Sequence, residues 1–187
     1  TIFKLLNLPH DDYSGNIFLN GKNIRDYDLN ILRKSVVIVD SFPAIFSGTV
    51  RDNILYFSER QDEQWLSYCV KMAEANQFIV NLPDGFDTCI SSQNNNLAGG
   101  QVQRIMIARA IASNAKVMVF DEATSAVDEV LETKIISNLK MDNSKTIIFI
   151  THRQRLIKYF NRVFVISSGK IKEEYVPDIQ NSLSELP

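Results

Sequence analysis

The sequence predicts an α/β fold: a parallel sheet interrupted by a helical insertion. Three observations carry this. Short apolar or β-branched runs, SVVIV at 35–39, KVMVF at 116–120 and TIIFI at 146–150, each stop just before polar residues. After residue 114 these runs alternate with helical stretches, the pattern of βαβ units. Between the first and second runs, residues 50–113 carry helical periodicity instead. The expected organisation is a single domain, with an α/β core over 1–49 and 114–175. A helical subdomain covers 50–113, and a polar, loosely held tail covers 176–187.

Taken in order, residues 1–8 read as part of a helix, with Ile2, Leu5 and Leu6 on one face. The loop 9–15 ends it, and His10 there reads as a solvated loop residue. Residues 16–19 alternate as a strand, and Asn20-Gly21 forms a tight hairpin turn. A short helix over 28–34 leads into the strand 35–39. Residues 40–50, rich in Ser with a Pro and a Gly, are expected to lack regular structure. A helical region starts at Arg51. Residues 62–77 form one helix whose apolar face is Trp65, Tyr68, Cys69 and Met72. The stretch 81–88 breaks it, and 94–96 is a polar loop. An amphipathic helix begins near Ala98, with Ile105, Ala108 and Ala112 on one face. The strand 116–120, the helix 128–140, the strand 146–150 and the helix 154–159 follow. A hairpin of 163–166 and 171–175, turning at Ser168-Gly169, closes the series.

Composition bounds the function. The 187 residues suffice for one core, and 45% hydrophobic with 22% charged residues is ordinary for a globular domain. A net charge of −2 gives no electrostatic reason for a nucleic-acid partner. Cys69 and Cys89 have no metal-ligand spacing and read as buried free thiols in a reducing compartment. No apolar run approaches the roughly 20 residues that span a bilayer, so a chain in, or facing, the cytosol is expected. The chain opens at Thr1, already inside a helical pattern, which is the expectation for an N-terminally truncated fragment.

In open α/β sheets, ligands bind beyond the carboxyl ends of the strands. Asp40, Asp121, Glu122 and His152 all fall there. A strand buried on both faces would hold Asp121 and Glu122 rigidly. One carboxylate suits Mg²⁺ held through water, and the other suits a water to be activated for attack on phosphorus. Gly99-Gly100 open a helix, where unpaired N–H groups bind anions. His152 follows a strand, where an imidazole can hydrogen-bond a phosphate. Each piece alone also has a bland reading: a helix-capping Asp with a solvated Glu, a flexible loop before a helix, and a histidine capping the next helix.

Together these residues resemble the nucleotide-binding domain of ATP-binding cassette (ABC) transporters of the exporter type. LAGGQVQR looks like the signature motif, VMVFDE like the Walker B strand, SAVD like the D-loop and Thr151-His152 like the switch histidine. VDSFPAIFSGTVRDNI resembles an exporter Q-loop region, in wording nearest to peptide and bacteriocin exporters, and DGFDTCISSQNNN the segment before the signature. The resemblance implies a P-loop NTPase-like (RecA-like) core, ATP and Mg²⁺ as cofactors, and ATP hydrolysis powering transport. It also implies a nucleotide-sandwich dimer with a second nucleotide-binding domain. A transmembrane domain contacted by the Q-loop region and residues 88–94 is implied too, with the chain at the cytoplasmic face of the membrane. Glu122 would be the catalytic base, with His152 beside it in the catalytic role. Asp121 would be the Mg²⁺ carboxylate, and Ser41 would stand at the Q-loop position that reaches the metal and nucleotide. Ala98, Gly99, Gly100 and Gln101 would clamp the γ-phosphate of ATP held by the partner, and Asp128 would communicate across the dimer.

The sequence departs from the family pattern at several points. The phosphate-binding pattern GxxxxGK[ST] does not occur in it, so residues 1–187 alone are expected to bind ATP poorly. Ser41 stands where the family has glutamine, Ala98 where it has serine, and Ser92 where exporters tend to have glutamate. These departures leave open a second reading, a degenerate, weakly or non-hydrolysing partner in an asymmetric dimer. A soluble repair or chromosome-organising relative would carry coiled coils between the Q-loop and the signature, and no heptads occur there.

Overall fold

The computed structural model describes residues 13–41, 44–91 and 97–175. The expected first helix, His10, the polar loop 94–96, Ser92 and the tail lie outside the described residues. The chain divides into two compact units after Ile150.

In the first unit, β1 (Phe18–Leu19) and β2 (Lys22–Asn23) form the expected hairpin. Its turn needs two left-handed residues, supplied by Asn20 at φ 49° and Gly21 at φ 76°. Asp28 then caps α1 (Leu29–Ser35), its carboxylate accepting the N–H groups of Asn30 and Ile31. Three strands make the central sheet: β3 (Val36–Val39), β6 (Val117–Asp121) and β7 (Thr146–Ile150), parallel in the order β3-β6-β7. Strands β6 and β7 are joined through α6 (Glu129–Leu139), the predicted βαβ unit.

Pleat alternation sorts the side chains of β3 into two cores. Val36 and Ile38 pack with Ile24 and Leu32, beside α1 and the hairpin, while Val37 and Val39 join the larger core on the other face. Residues Met118, Val119 and Phe120 of the middle strand are all buried, and Phe120 stacks on Phe149 of β7 at 4.8 Å. The larger core is organised around α5 (Gly99–Ala112), which packs against β3, α2 (Val50–Leu55) and α3 (Glu63–Met72).

Several expectations need correction. Helix α5 is not amphipathic: from Val102 to Ala112 every residue except Arg104 is buried, because sheet and helices enclose it on all sides. The helix expected over 62–77 is two. After α3 the chain turns at Glu74, at φ 54°, before α4 (Asn76–Ile79). The turn is closed as helix ends commonly are, with the Ala75 N–H on Val70 O and the Glu74 N–H on Lys71 O. Arg104 donates to Glu74 O at 2.7 Å, and Asn138 donates to Met72 O and the Glu74 carboxylate. The buried face of α3 is Leu66, Cys69, Val70 and Ala73; Tyr68 is exposed and Trp65 is half-buried, stacked on it. Finally, the 40–50 stretch contains a strand, β4 (Gly48–Thr49), paired antiparallel with β5 (Cys89–Ile90). That pairing also brings Cys89 to the surface; only Cys69 is buried.

The second unit holds a 3₁₀ stretch over Gln154–Tyr159, expected as an ordinary helix, and the hairpin of β8 (Val163–Ser167) and β9 (Lys170–Tyr175). Its turn uses Ser168 at φ 50° and Gly169 at φ 73°. Among the described residues no helix is long and apolar enough to cross a membrane.

Candidate functional site

The carboxylate pair sits where the sheet dictates. Asp121 ends the middle strand, half-buried and level with Ile150 of β7. Val39 pairs with Phe120, so Asp40 leaves β3 at the level of Asp121, with Ser41 behind it. Glu122 is exposed and takes the left-handed backbone region at φ 51°. This is unusual for a residue with a Cβ and costs on the order of 1 kcal/mol. The conformation is held by the Glu122 N–H donating to Ile150 O at 3.0 Å and the Ser125 N–H donating to Glu122 O at 3.1 Å. These two backbone bonds fix the left-handed turn from which the carboxylate leaves the strand end.

The donor set limits the metal that could bind. Among the described residues no three His, Cys, Asp or Glu side chains gather into a metal cage. A strand-end carboxylate suits Mg²⁺, which keeps several waters and takes its remaining oxygens from phosphate.

The glycines open α5. Gly99 and Gly100 occupy the first turn, where helix N–H groups have no acceptor within the helix. Ala98 precedes them and contributes no side-chain cap; instead Gln101 Oε1 accepts the Ala98 N–H at 2.9 Å. Two glycines at a helix start let a phosphate approach the backbone closely. Gly100 has a requirement inside the chain as well: a Cβ there would lie 2.5 Å from the Ala126 carbonyl oxygen. At Gly99 the nearest atom would be the Ala126 Cβ at 3.5 Å, an ordinary contact. The signature-like helix start and the SAVD turn are thus packed against each other. Asp128, at the end of that turn, caps α6 by accepting the Leu131 N–H at 3.1 Å.

His152 lies in the second unit, exposed, two residues past Ile150 in the chain. The first unit brings together Asp40, Ser41, Asp121 and Glu122 along the sheet rim, and Gly99 and Gly100 beside Ala126, with Gln101 next in the same helix.

Two buried polar residues of α5 had escaped the sequence reading. Gln103 is 4% exposed and bonds the SAVD turn at Ser125 and Ala126. Arg109 is 6% exposed and donates to Asn53 O at 2.6 Å, Asn53 Oδ1 at 2.8 Å and Ala44 O at 2.6 Å. Asn53 in turn holds both backbone groups of Phe46, so this network fastens the segment after Ser41 to α5. Burial pushes the Arg109 guanidinium down to about 10, with only Tyr56 opposing it. Burial also lowers Arg104, against the pull of Asp128 and Glu74. A polar residue on the apolar stripe was the available signal: Arg109 falls four after Ile105 and three before Ala112.

Comparison with known proteins decides the family. The model of the ABC transporter family matches residues 1–125. The chain belongs to the ABC transporter family. It is 38% identical over 175 residues to the ATP-dependent lipid A-core flippase of Syntrophus aciditrophicus (strain SB), covering 93% of this chain and 29% of that protein. It is 34% identical over 178 residues to the mitochondrial iron-sulfur clusters transporter ATM1 of Saccharomyces cerevisiae, covering 93% of this chain and 26% of ATM1. Its structure matches that of a bacterial Atm1-family ABC exporter with ATP bound, with a TM-score of 0.86 and 31% identity. That match covers 92% of this chain and 30% of the exporter. This ABC-family chain thus spans less than a third of the length of these relatives. The α/β fold with a parallel sheet is the fold of the exporter nucleotide-binding domain.

Proposed function

We propose that this chain is an ATP-binding and ATP-hydrolysing domain of an ABC exporter. It would work at the cytoplasmic face of a membrane with a transmembrane domain and a second nucleotide-binding domain. The observation that carries the reading is the Asp121-Glu122 pair at the carboxyl end of the buried middle strand, with Glu122 turned left-handed and its backbone tied to Ile150 and Ser125. Such a carboxylate can accept the proton of a water that attacks the γ-phosphorus of ATP, the oxygen–phosphorus bond to ADP breaking in line. Asp121 would hold Mg²⁺ through water, and bound Mg²⁺ neutralises charge on the phosphates. Ser41 would approach the same ion from the β3 side, and His152 would hydrogen-bond the γ-phosphate.

In the nucleotide-sandwich arrangement, the N–H groups of Gly99 and Gly100, with Ala98 and Gln101, would cradle the γ-phosphate of the partner's ATP. Asp128 would lie at the dimer contact, residues 50–113 would form the helical subdomain that carries the signature motif, and the Q-loop region with residues 88–94 would meet the membrane domain. Residues 1–187 by themselves would bind ATP weakly, and calorimetry giving micromolar affinity would refute that.

A second reading has specific support. Ser41 is too short to reach where a glutamine would, and Ala98 brings no hydroxyl, as expected of a degenerate, weakly hydrolysing partner in an asymmetric dimer. Single-turnover hydrolysis in the whole transporter separates the two. Under the leading reading ATP is cleaved, and Glu122→Gln slows cleavage by 10²-fold or more, on the order expected for loss of a general base. Wild-type cleavage in Glu122→Gln, or none in the parent, refutes it.

A further inference from the structure

The turn that follows Glu122 is held from two sides. From α6, the buried Glu132 carboxylate accepts the Thr124 hydroxyl at 2.6 Å. From α5, Gln103 uses both ends of its amide: Nε2 donates to Ser125 Oγ at 2.9 Å, and Oε1 accepts the Ala126 N–H at 2.8 Å. One helical turn before Gln103, Gly100 sits so close to the Ala126 carbonyl that no Cβ fits between them. The Ser125 N–H itself closes back onto Glu122 O. The glycine head of α5 thus touches the turn directly at Ala126, and the buried Gln103 side chain is the hydrogen-bonded tie between the two. A buried amide left half-paired is costly, so the two segments have strong reason to move only as one body.

We propose that Gln103 is a positioning residue for ATP hydrolysis. Through Ser125 and Ala126 it locks the Glu122 turn to the glycine start of α5, so the carboxylate and the glycine N–H groups keep one fixed relation. This rests on the reading of Glu122 as general base and of Gly99-Gly100 as phosphate ligands. Within one chain those two groups would serve different nucleotides. Gln103 would thus make the placement of one site's base depend on whether the other site's phosphate is held.

The test uses the whole transporter with Gln103→Leu, Ser125→Ala, the double variant and Glu122→Gln. Gln103→Leu is expected to lower kcat by about 10-fold, with KM for ATP within about twofold of the parent, because binding contacts are untouched while the base is misplaced. Hydrogen exchange in the peptide spanning 122–128 should quicken, with the β6 peptide unchanged. Ser125→Ala should repeat part of the loss, and the double variant should be no worse than Gln103→Leu, since both remove one linkage. Unchanged kcat in Gln103→Leu, a proportional rise in KM, or a double variant whose losses multiply would each overturn the proposal. If Gln103→Leu does not assemble, Ser125→Ala decides: a lowered kcat with faster exchange supports the linkage, and parental kcat with parental exchange overturns it. An inactive Glu122→Gln beside a parental Gln103→Leu refutes the positioning role alone. An active Glu122→Gln refutes the base assignment, and the catalytic role of Gln103 falls with it.

Discussion

Two adjacent glycines should respond to the same substitution with opposite signs. In water Ala is favoured over Gly in a helix by about 0.8–1.0 kcal/mol, less in the first turn. At Gly99 the added methyl would meet only the Ala126 Cβ at 3.5 Å, so Gly99→Ala should be neutral or stabilising by up to about 1 kcal/mol. At Gly100 it would lie 2.5 Å from Ala126 O, 3.3 Å from Ala126 C and 3.7 Å from Val127 Cα. All three are backbone atoms and cannot rotate aside. Overpacking of this kind costs about 1–3 kcal/mol. Because the propensity gain is shared, the two variants should differ by about 1–3 kcal/mol. Urea unfolding reads this directly, with Trp65, the single tryptophan, as the probe. Its indole N–H donates to Ala112 O at the far end of α5, so its emission reports whether α3 and α5 stay packed. At a slope of about 2 kcal/mol per molar urea the midpoints should lie about 0.5–1.5 M apart, Gly100→Ala lower. Coincident midpoints would refute the claim that the Ala126 carbonyl, rather than a ligand alone, requires glycine at 100.

Arg109→Lys should destabilise by about 2–4 kcal/mol in thermal unfolding: a single ammonium cannot replace a fork serving Asn53 O, Asn53 Oδ1 and Ala44 O, and buried carbonyls are left unpaired. A loss below about 0.5 kcal/mol would refute that account. Cys89 should react with maleimide at neutral pH and Cys69 should not, since one is exposed and burial pushes the other thiol up to about 12. The Cys69 shift also sets a pH dependence. Above pH 9 the unfolded chain, whose thiol ionises near 9.0, binds fewer protons than the folded one. Stability therefore falls with rising pH from there to about 12, by up to about 1.4 kcal/mol per pH unit. Cys69→Ala should lack this fall, and melting curves of the two proteins between about pH 8.5 and 10.5 would reveal parallel slopes if the reasoning is wrong.

The parts of the fold that depend on local pattern were legible. The Asn20-Gly21 hairpin, the strands 35–39, 116–120 and 146–150, and the Asp28 and Asp128 helix starts follow from turn chemistry and periodicity alone. What misled was ambiguity of face. On α3, both Trp65-Tyr68-Cys69-Met72 and Leu66-Cys69-Val70-Ala73 satisfy helical spacing, and the amphipathic aromatics took the rim. The break at Glu74 carries no glycine, because Arg104 and Asn138 from distant segments supply what holds it. The β4–β5 pair joins Gly48 to Ile90 and Thr49 to Cys89, far apart in the chain and beyond any local signal. At the candidate site, placement was readable: Asp121 falls at a strand end and Gly99-Gly100 at a helix start, as the sequence pattern predicts. Gln103 was not, since its meaning lies in a turn more than 20 residues away that no spacing rule connects to it.

The left-handed Glu122 has a bearing on how this domain could change over generations. A glycine there would relieve about 1 kcal/mol of backbone strain while deleting the carboxylate and the contacts it makes. Glutamine would keep the strain and lose only the charge. On the backbone term alone, drift toward stability would pull this position away from the carboxylate that the proposed hydrolysis uses. A lineage in which turnover ceased to matter would be expected to lose Glu122 to glycine or asparagine, while Gln103 and Glu132, which hold the turn behind it, persisted. Glutamate at 122 in this chain keeps a left-handed backbone that glycine would hold at lower cost.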